Sequence, residues 1–450
     1  MDLQLIYDCS PWWFQNVMCS VKGYSIKHRR YNKNFFEELK RFETNEYSQE
    51  DELRKFLFSI KDVAAYREYF TPSLIEQLSR PNSDVYKIIK VFPIIGKKNV
   101  KDNIDLFVNK QYTGKSFIMR TSGTTGSGLA FPYSVNFENK QWAIWWQYRR
   151  KWGIQLDTWC GWFGGKRMIN PECKKTPFWR INKPGRQIMY SSYHLTNETV
   201  CSFYEDIKKR QLKWLHGYPS HLAKLASLII ENRLGPLSQV KWVTTGAEGL
   251  VGNQKRLLTR AFPNAMIGEH YGQNEGVAIM NRYSGKGWET VDSFSYIEFI
   301  PYNEEDQSLC RIVGTGFFNP VFPLVRYDTG DLAKVERDDK GNIVKVISID
   351  GRTGNTIKQP SGHEITEAAL SIVLHDFDNI AEAQFHQLAL DEVVLWVVKG
   401  SHYSSADEQK LDESLNNAFD NGMKIRVKYV DAVERTKAGK LRLVIPDFEK

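Results

Sequence analysis

Residues 213–244 read KWLHGYPSHLAKLASLIIENRLGPLSQVKWVT: a short apolar run, a longer amphipathic run, and a second short apolar run. Residues 213–216 fit a short strand. Pro219 suits the first turn of a helix, where its missing N–H has no intrahelical partner to lose. Leu222, Leu225, Leu228 and Ile229 then recur at helical spacing across 219–233 until Gly235 stops the run, and 240–244 is a second strand. Working outward, 157–163 reads as a strand, 198–210 and 254–261 as helices, and 265–270 as another strand. This alternation through 135–270 predicts an α/β class with mostly parallel sheets covered by helices. Such sheets bind ligands in loops beyond the carboxyl ends of their strands.

On either side the pattern changes. Residues 34–60 are helix-like, with Phe35, Phe36, Leu39 and Phe42 recurring along one stripe and Ser48 placed to start a second helix. From 296 to 350 helical periodicity is lost, and β-rich runs at 296–300, 309–313 and 343–349 predict a β subdomain. Beyond Gly351, helices at 365–375 and 406–419 with strands at 381–385, 393–398 and 425–430 predict a compact α+β module. The expected organisation is a large N-terminal domain, 1–350, and a small mobile C-terminal domain, 351–450.

The 450 residues, 42% apolar and 13% aromatic, can bury a large core. No apolar run is long enough to span a membrane and no secretion signal is evident, so the cytoplasm is the expected compartment. Six scattered cysteines, with no C-x-x-C pair and no Cys/His cluster, argue against a disulfide framework or a structural zinc. Net charge is +8, yet the basic residues are dispersed and the densest group, Lys27 to Arg30, is short. That disfavours nucleic acid and suits anionic small molecules, or the anionic face of an inner membrane. Trp12, Trp13, Phe14, Val17 and Met18, followed by a basic tail from Lys22, could form a peripheral inner-membrane element. The charges follow the apolar stretch instead of lining its opposite face, so the plainer expectation is that this segment caps the core.

Residues 121–128, Thr-Ser-Gly-Thr-Thr-Gly-Ser-Gly, are all hydroxyl residues and glycines. Glycine lets backbone N–H groups approach an anion, and the hydroxyls of Thr121, Ser122, Thr124 and Thr125 beside Gly123 and Gly126 can turn toward phosphate oxygens. Leu129 stands where a P-loop would need lysine. A solvated turn is the alternative. Four more segments gain meaning beside this loop. Gly246, Ala247 and Glu248 end a strand and would let a flat base lie against backbone. In Tyr271-Gly272-Gln273-Asn274-Glu275 the tyrosine can stack on a purine and Glu275 can hold Mg²⁺ on phosphate oxygens. Asp331 follows a Thr-Gly turn and can accept from both ribose hydroxyls. Arg352, after Gly351, can bridge ribose and phosphate at the domain boundary. Each of these alone is equally a common turn.

Taken in order, these segments resemble the adenylate-forming superfamily of acyl-CoA ligases, in particular the phenylacetate-CoA ligase branch and its capsule-biosynthesis, CapK-like members. Trp13-Phe14-Gln15-Asn16 with Gly23-Tyr24, Arg29-Arg30-Tyr31, Arg120 to Leu129, and His216-Gly217-Tyr218-Pro219-Ser220 are all similar to that branch. The resemblance implies that ATP and a small carboxylic acid form an acyl-adenylate, which a thiol such as that of CoA, or an amine or hydroxyl of a surface-polysaccharide precursor, then captures. It also implies a catalytic lysine near the C-terminus, matched by Lys440, with Lys437 its competitor; composition alone reads Lys440 as a solvated side chain. His216 is equally read as structural or as a substrate contact. Two departures stand out. Asn274 replaces the threonine usual before Glu275, and Gly354 and Asn355 replace an aspartate pair after Gly-Arg. They motivate an alternative, a catalytically silent nucleotide-binding scaffold of a polysaccharide assembly system.

Overall fold

A computed structural model describes residues 3–121, 128–283, 286–302, 306–374, 376–377, 379–436 and 439–449. The chain forms two compact units, one of residues 1–23, 157–269 and 349–450, the other of residues 24–156 and 270–348.

In the first unit, the strands Trp242–Gly246, Trp214–Gly217, Cys160–Phe163 and Gln187–Tyr190 lie side by side and parallel, and Trp179–Asn182 adds an antiparallel edge. The register pairs Phe163 with Gly217 and Gly217 with Thr245, so three strands finish together and open their loops on one side. Helix Pro219–Glu231 begins at the expected proline and buries Leu222, Leu225, Leu228 and Ile229. With Val200–Lys209 and Gly252–Ala261 it shares a core built on Phe203, Ile207, Leu215, Val243 and Leu258. Each such side chain stabilises the fold by roughly 2 kcal/mol when fully buried.

The C-terminal part of this unit is a four-stranded sheet in the order Lys424–Tyr429, Glu392–Lys399, Ile380–Ala389 and Val444–Pro446. Helices Glu367–Val373 and Ser405–Ala418 cover it, the second started by a Ser404/Asp407 capping box. Ile365, Leu370, Phe385, Leu395, Leu411, Leu415 and Val444 give this region its own core. The α+β reading holds, and Val444–Pro446 is an addition to it.

The second unit carries the β-rich segment, Ser295–Pro301, Leu309–Gly316, Tyr327–Arg337 and the strand Ile343–Arg352 as far as Ser348, neighbours in chain order. Helices Lys33–Glu43 and Gln49–Ser59 stand where expected, the latter capped by Ser48. Phe36 departs from its predicted stripe: Phe35, Leu39 and Phe42 are buried, whereas Phe36 is exposed. A short antiparallel hairpin, Ser116–Arg120 with Ala130–Ser134, flanks the glycine- and hydroxyl-rich loop and runs into helix Val135–Lys151 through the Ser134 cap. The basic run at the end of helix Trp12–Arg30 is structural in part. Arg29 and Arg30 both bind Glu138, at 2.6 and 2.8 Å, and Glu138 is buried. A carboxylate removed from water requires such partners.

Candidate active site

The predicted site residues fall into two groups, one in each unit. In the second unit, backbone Thr121 N–H donates to the Leu129 carbonyl at 2.9 Å, and Leu129 N–H donates to Thr121 Oγ1 at 2.9 Å. These bonds close the neck of the loop. Ser122, Gly123, Thr124, Thr125 and Gly126 lie outside the described residues. At the neck, Asn274 Nδ2 donates to the Arg120 carbonyl at 3.3 Å, and Gln141 Nε2 donates to the Gln273 carbonyl at 3.3 Å. Gly276 has φ +65°, and a Cβ there would overlap the Phe137 ring, so the Tyr-Gly-Gln-Asn-Glu segment needs glycine to turn over helix Val135–Lys151.

From the same segment, Tyr271 Oη donates to Asp331 Oδ2 at 2.7 Å and lies 3.3 Å from Thr329 Oγ1. Thr329 Oγ1 accepts from Asp331 N–H at 3.1 Å and donates to the Ile312 carbonyl at 2.9 Å. The Thr-Gly-Asp segment, expected as a turn, instead lies inside the strand Tyr327–Arg337, where Gly330 takes φ +73° and the pairing with Leu309–Gly316 shifts register, and it presents the carboxylate to the tyrosine. The neck of the loop, Asn274 with Tyr271, and Asp331 are thus linked within one unit. Glu275 and Gly272 are half-buried on the same segment. Among the described residues no three metal-ligating side chains cluster; a Mg²⁺ ion at Glu275 would need its other ligands from phosphate oxygens and water.

In the first unit, the strand Trp242–Gly246 passes into Ala247, whose φ of +70° turns the chain sharply before Glu248. The Glu248 carboxylate accepts from Ser220 N–H at 3.2 Å, in the first turn of helix Pro219–Glu231, and from Leu441 N–H at 2.8 Å. Burial pushes its pKa up, and the bonds from Ser220 and Leu441 oppose the shift. Leu441 follows Lys440, so Glu248 pins the lysine's own turn. That turn is further closed by Lys440 N–H to Thr436 Oγ1 at 3.1 Å and by Arg435, which reaches Ser220 Oγ at 3.1 Å, the Gly439 carbonyl at 3.2 Å and Glu382 at 2.7 Å. Lys440 Nζ lies 5.8 Å from the centroid of the Tyr218 ring, at the carboxyl end of the strand Trp214–Gly217. Lys437 lies outside the described residues. His216 Nδ1 lies 2.9 Å from Thr244 Oγ1 and 3.0 Å from the Thr244 carbonyl, which gives the ring a structural anchor.

Arg352, exposed, ends the strand Ile343–Arg352 and contributes positive charge near Glu367. Glu367 accepts from Asn355 Nδ2 at 3.2 Å, and Asn355 Oδ1 accepts from Arg442 at 3.0 Å. A carboxylate thus stands at this segment even though the aspartates after Gly-Arg are missing. Sequence reasoning missed Glu367, Ser220 and Arg435, whose partners are far along the chain; the substituted Asn355 was the one available signal.

Residues 357–447 match the family described as the CapK C-terminal domain. Over 99% of its length the chain is 25% identical to Protein CapK of Staphylococcus aureus, which it covers completely. Its fold is similar to that of a 2-hydroxyisobutyryl-CoA ligase solved in the postadenylation state with an acyl-AMP, with a TM-score of 0.65, 15% identity and 89% of both chains covered. It is also similar to the anthranilate CoA ligase AuaEII in complex with anthranoyl-AMP, with a TM-score of 0.50, 12% identity, and coverage of 72% of this chain and 64% of that one. The chain is CapK-like, on the adenylate-forming ligase fold.

Proposed function

We propose that this CapK-like protein is an ATP-dependent, AMP-forming carboxylate ligase related to phenylacetate-CoA ligases, with residues 351–450 serving as the lid that carries its catalytic lysine. The Tyr271–Asp331 bond, joined through Asn274 to the neck of the phosphate loop, carries this reading. Asp331 would take the ribose hydroxyls, Tyr271 would stack on the adenine beside Gly272, and Gly246 and Ala247 would offer backbone to the base. Thr121, Ser122, Gly123, Thr124, Thr125 and Gly126 would surround the phosphates, with the Asn274 amide as a further donor and Arg352 bridging ribose and phosphate. Glu275 would hold a Mg²⁺ ion, which supplies charge neutralisation on phosphate oxygens when bound.

A carboxylate oxygen of the acid attacks the α-phosphorus, the bond to the bridging oxygen breaks, and pyrophosphate leaves. Charge grows on the phosphoryl oxygens as this happens, and the Lys440 ammonium, carried on the turn that Glu248 holds, would lower the barrier by meeting that charge. The acceptor then attacks the acyl carbonyl, loses its proton, and expels AMP. The CoA ligase names of the structural neighbours favour a thiol acceptor, and the likeness to CapK keeps a glycan amine or hydroxyl in view.

Acid-dependent pyrophosphate release from ATP and Mg²⁺ over a carboxylic acid panel tests the proposal. Lys440→Ala should slow it by about a hundredfold or more; an unchanged rate would defeat the assignment of Lys440. Asn274, whose amide is engaged by the Arg120 carbonyl, favours one other reading, a silent nucleotide-binding scaffold. Calorimetric ATP binding with no pyrophosphate release from any acid would establish it.

A further inference from the structure

Gln384 is a buried amide set among apolar side chains. On strand Ile380–Ala389, Ala383 and Phe385 belong to the core shared with Leu370, Leu411 and Leu415 of the covering helices, and Gln384 and His386 alternate onto the other face. Gln384 is fully buried and His386 nearly so. An amide withdrawn from water destabilises a fold unless its donors and acceptor are matched. Those of Gln384 are matched by a single turn. Its Nε2 donates to the Glu434 carbonyl at 3.0 Å and to the Arg442 carbonyl at 2.8 Å, and its Oε1 accepts from Glu434 N–H at 3.0 Å. Interchanging the amide oxygen and nitrogen would aim the oxygen at both carbonyls, so the orientation is fixed.

Glu434 and Arg442 are the two stems of the turn that carries Lys440. Inside them, Arg435 and Leu441 form an antiparallel bridge, and Thr436 N–H donates to the Lys440 carbonyl at 3.0 Å. Gln384 is thus the first rung of a ladder that ends at the lysine. The rung is supported from behind. His386 Nε2 lies 3.1 Å from Gln384 Oε1, His386 Nδ1 lies 2.8 Å from Asp447 Oδ2, and the His386 ring stacks on Trp396 with centroids 4.0 Å apart. Phe385 N–H donates to the Leu443 carbonyl at 2.7 Å, and Val444–Pro446 then runs along the same strand, so the second stem leaves directly from the sheet. Glu248 and Ser220 touch this turn from residues 157–269. Gln384 instead belongs to 351–450, the same segment as Lys440.

We propose that Gln384 is a positioning residue for Lys440: its amide ties the two stems together, so that the lysine's turn is formed within 351–450 independently of Glu248. For the role of Lys440 the inference rests on the ligase reading; the clamp itself does not.

Hydrogen exchange of the full chain, followed by mass spectrometry, reads the clamp without any ligand. Gln384→Met keeps the length of the side chain and removes its polar atoms. Exchange over 434–442 should quicken about tenfold or more, while strand Glu392–Lys399 and helix Ser405–Ala418 keep the parent's rates. In acid-dependent pyrophosphate release the variant should lose about tenfold in kcat with KM for ATP within about twofold. In a Lys440→Ala background the same change should cost less than about twofold, because a residue that acts through the lysine has nothing left to position. Losses that simply multiply would mark general damage to the fold and overturn the proposal. So would exchange over 434–442 at the parent's rate, whatever the activity. If Gln384→Met does not fold, His386→Leu decides: it leaves the amide in place without its outer support and should quicken exchange of the turn about threefold, and no change would overturn the clamp. A parent that releases no pyrophosphate with any acid, while Gln384→Met loosens the turn, would refute the ligase reading and leave the clamp established.

Discussion

Asp331 shows how a small motif acquires a partner. Thr329 Oγ1 accepts its backbone N–H and the Tyr271 hydroxyl donates to its carboxylate, so the side chain is held in one orientation. A hydrogen bond to a charged acceptor is worth about 1.5–3 kcal/mol when buried, and this half-buried one belongs at the lower end. Tyr271→Phe keeps the ring and removes the donor. In steady-state kinetics it should raise KM for ATP roughly tenfold with kcat within about twofold, since positioning is lost and the chemistry is untouched. A wild-type KM would show that the phenol does not orient Asp331. Tyr271 and Asp331 stand out in the sequence because Gly272 and Gly330 adjoin them, although both prove to lie within strands and not turns. Glu248 was legible as a residue but not in its contact with Leu441, because no local pattern announces a bond between segments so distant in sequence.

At the scale of elements, the segment after Gly351 rests on helix Glu367–Val373. Burial raises the Glu367 carboxyl to about 7, with Arg442, Val444, Asn355 and Arg352 opposing the shift. A carboxyl whose folded pKa lies above its unfolded one, near 4.3, holds its proton longer in the fold. Its contribution is therefore fully present below pH 4.3, declines as pH rises, and is lost above 7, an effect of at most about 4 kcal/mol. Glu367→Gln should flatten that part of the profile: between pH 5 and 8 the parent's denaturant midpoint should fall relative to the variant's. Parallel profiles would show that Glu367 ionises normally. Legibility at this scale followed punctuation. Pro219 and Gly235 bracket a helix that periodicity alone locates, and Ser48 starts another. The strands Trp179–Asn182 and Gln187–Tyr190 escaped notice because each is short and their pairing depends on Cys160–Phe163 alongside. The orientation of helix Trp12–Arg30 could not be read either, because Asn16 and Ser20 bind the backbone of the edge strand Trp179–Asn182, far along the chain. Its Trp12, Trp13, Phe14 and Val17, expected to cap the core, are exposed instead.

For the whole molecule, the α/β body and α+β C-terminal region were legible from alternating period and length, while the membership of 349–450 and 157–269 in one compact unit was not, since it depends on contacts such as Glu248 to Leu441. Charge is the property that belongs to the molecule and to no single element. With +8 overall and acidic residues only slightly fewer than basic ones, 53 against 61, the field would attract the ATP of the proposed reaction and is screened over about 8 Å at physiological ionic strength. Screening acts on encounter and initial binding, and much less on charges already enclosed around a bound phosphate. Raising NaCl from 20 to 300 mM should therefore increase KM for ATP by about threefold while leaving kcat nearly constant. Neutralising exposed lysines away from the site, such as Lys208 and Lys209, should reduce that salt sensitivity without altering the high-salt KM. A KM independent of salt would mean that the local phosphate loop, and not the molecular field, governs capture of ATP, whereas a fall in kcat alone would place the salt effect on the Lys440 turn and its Arg435–Glu382 ion pair.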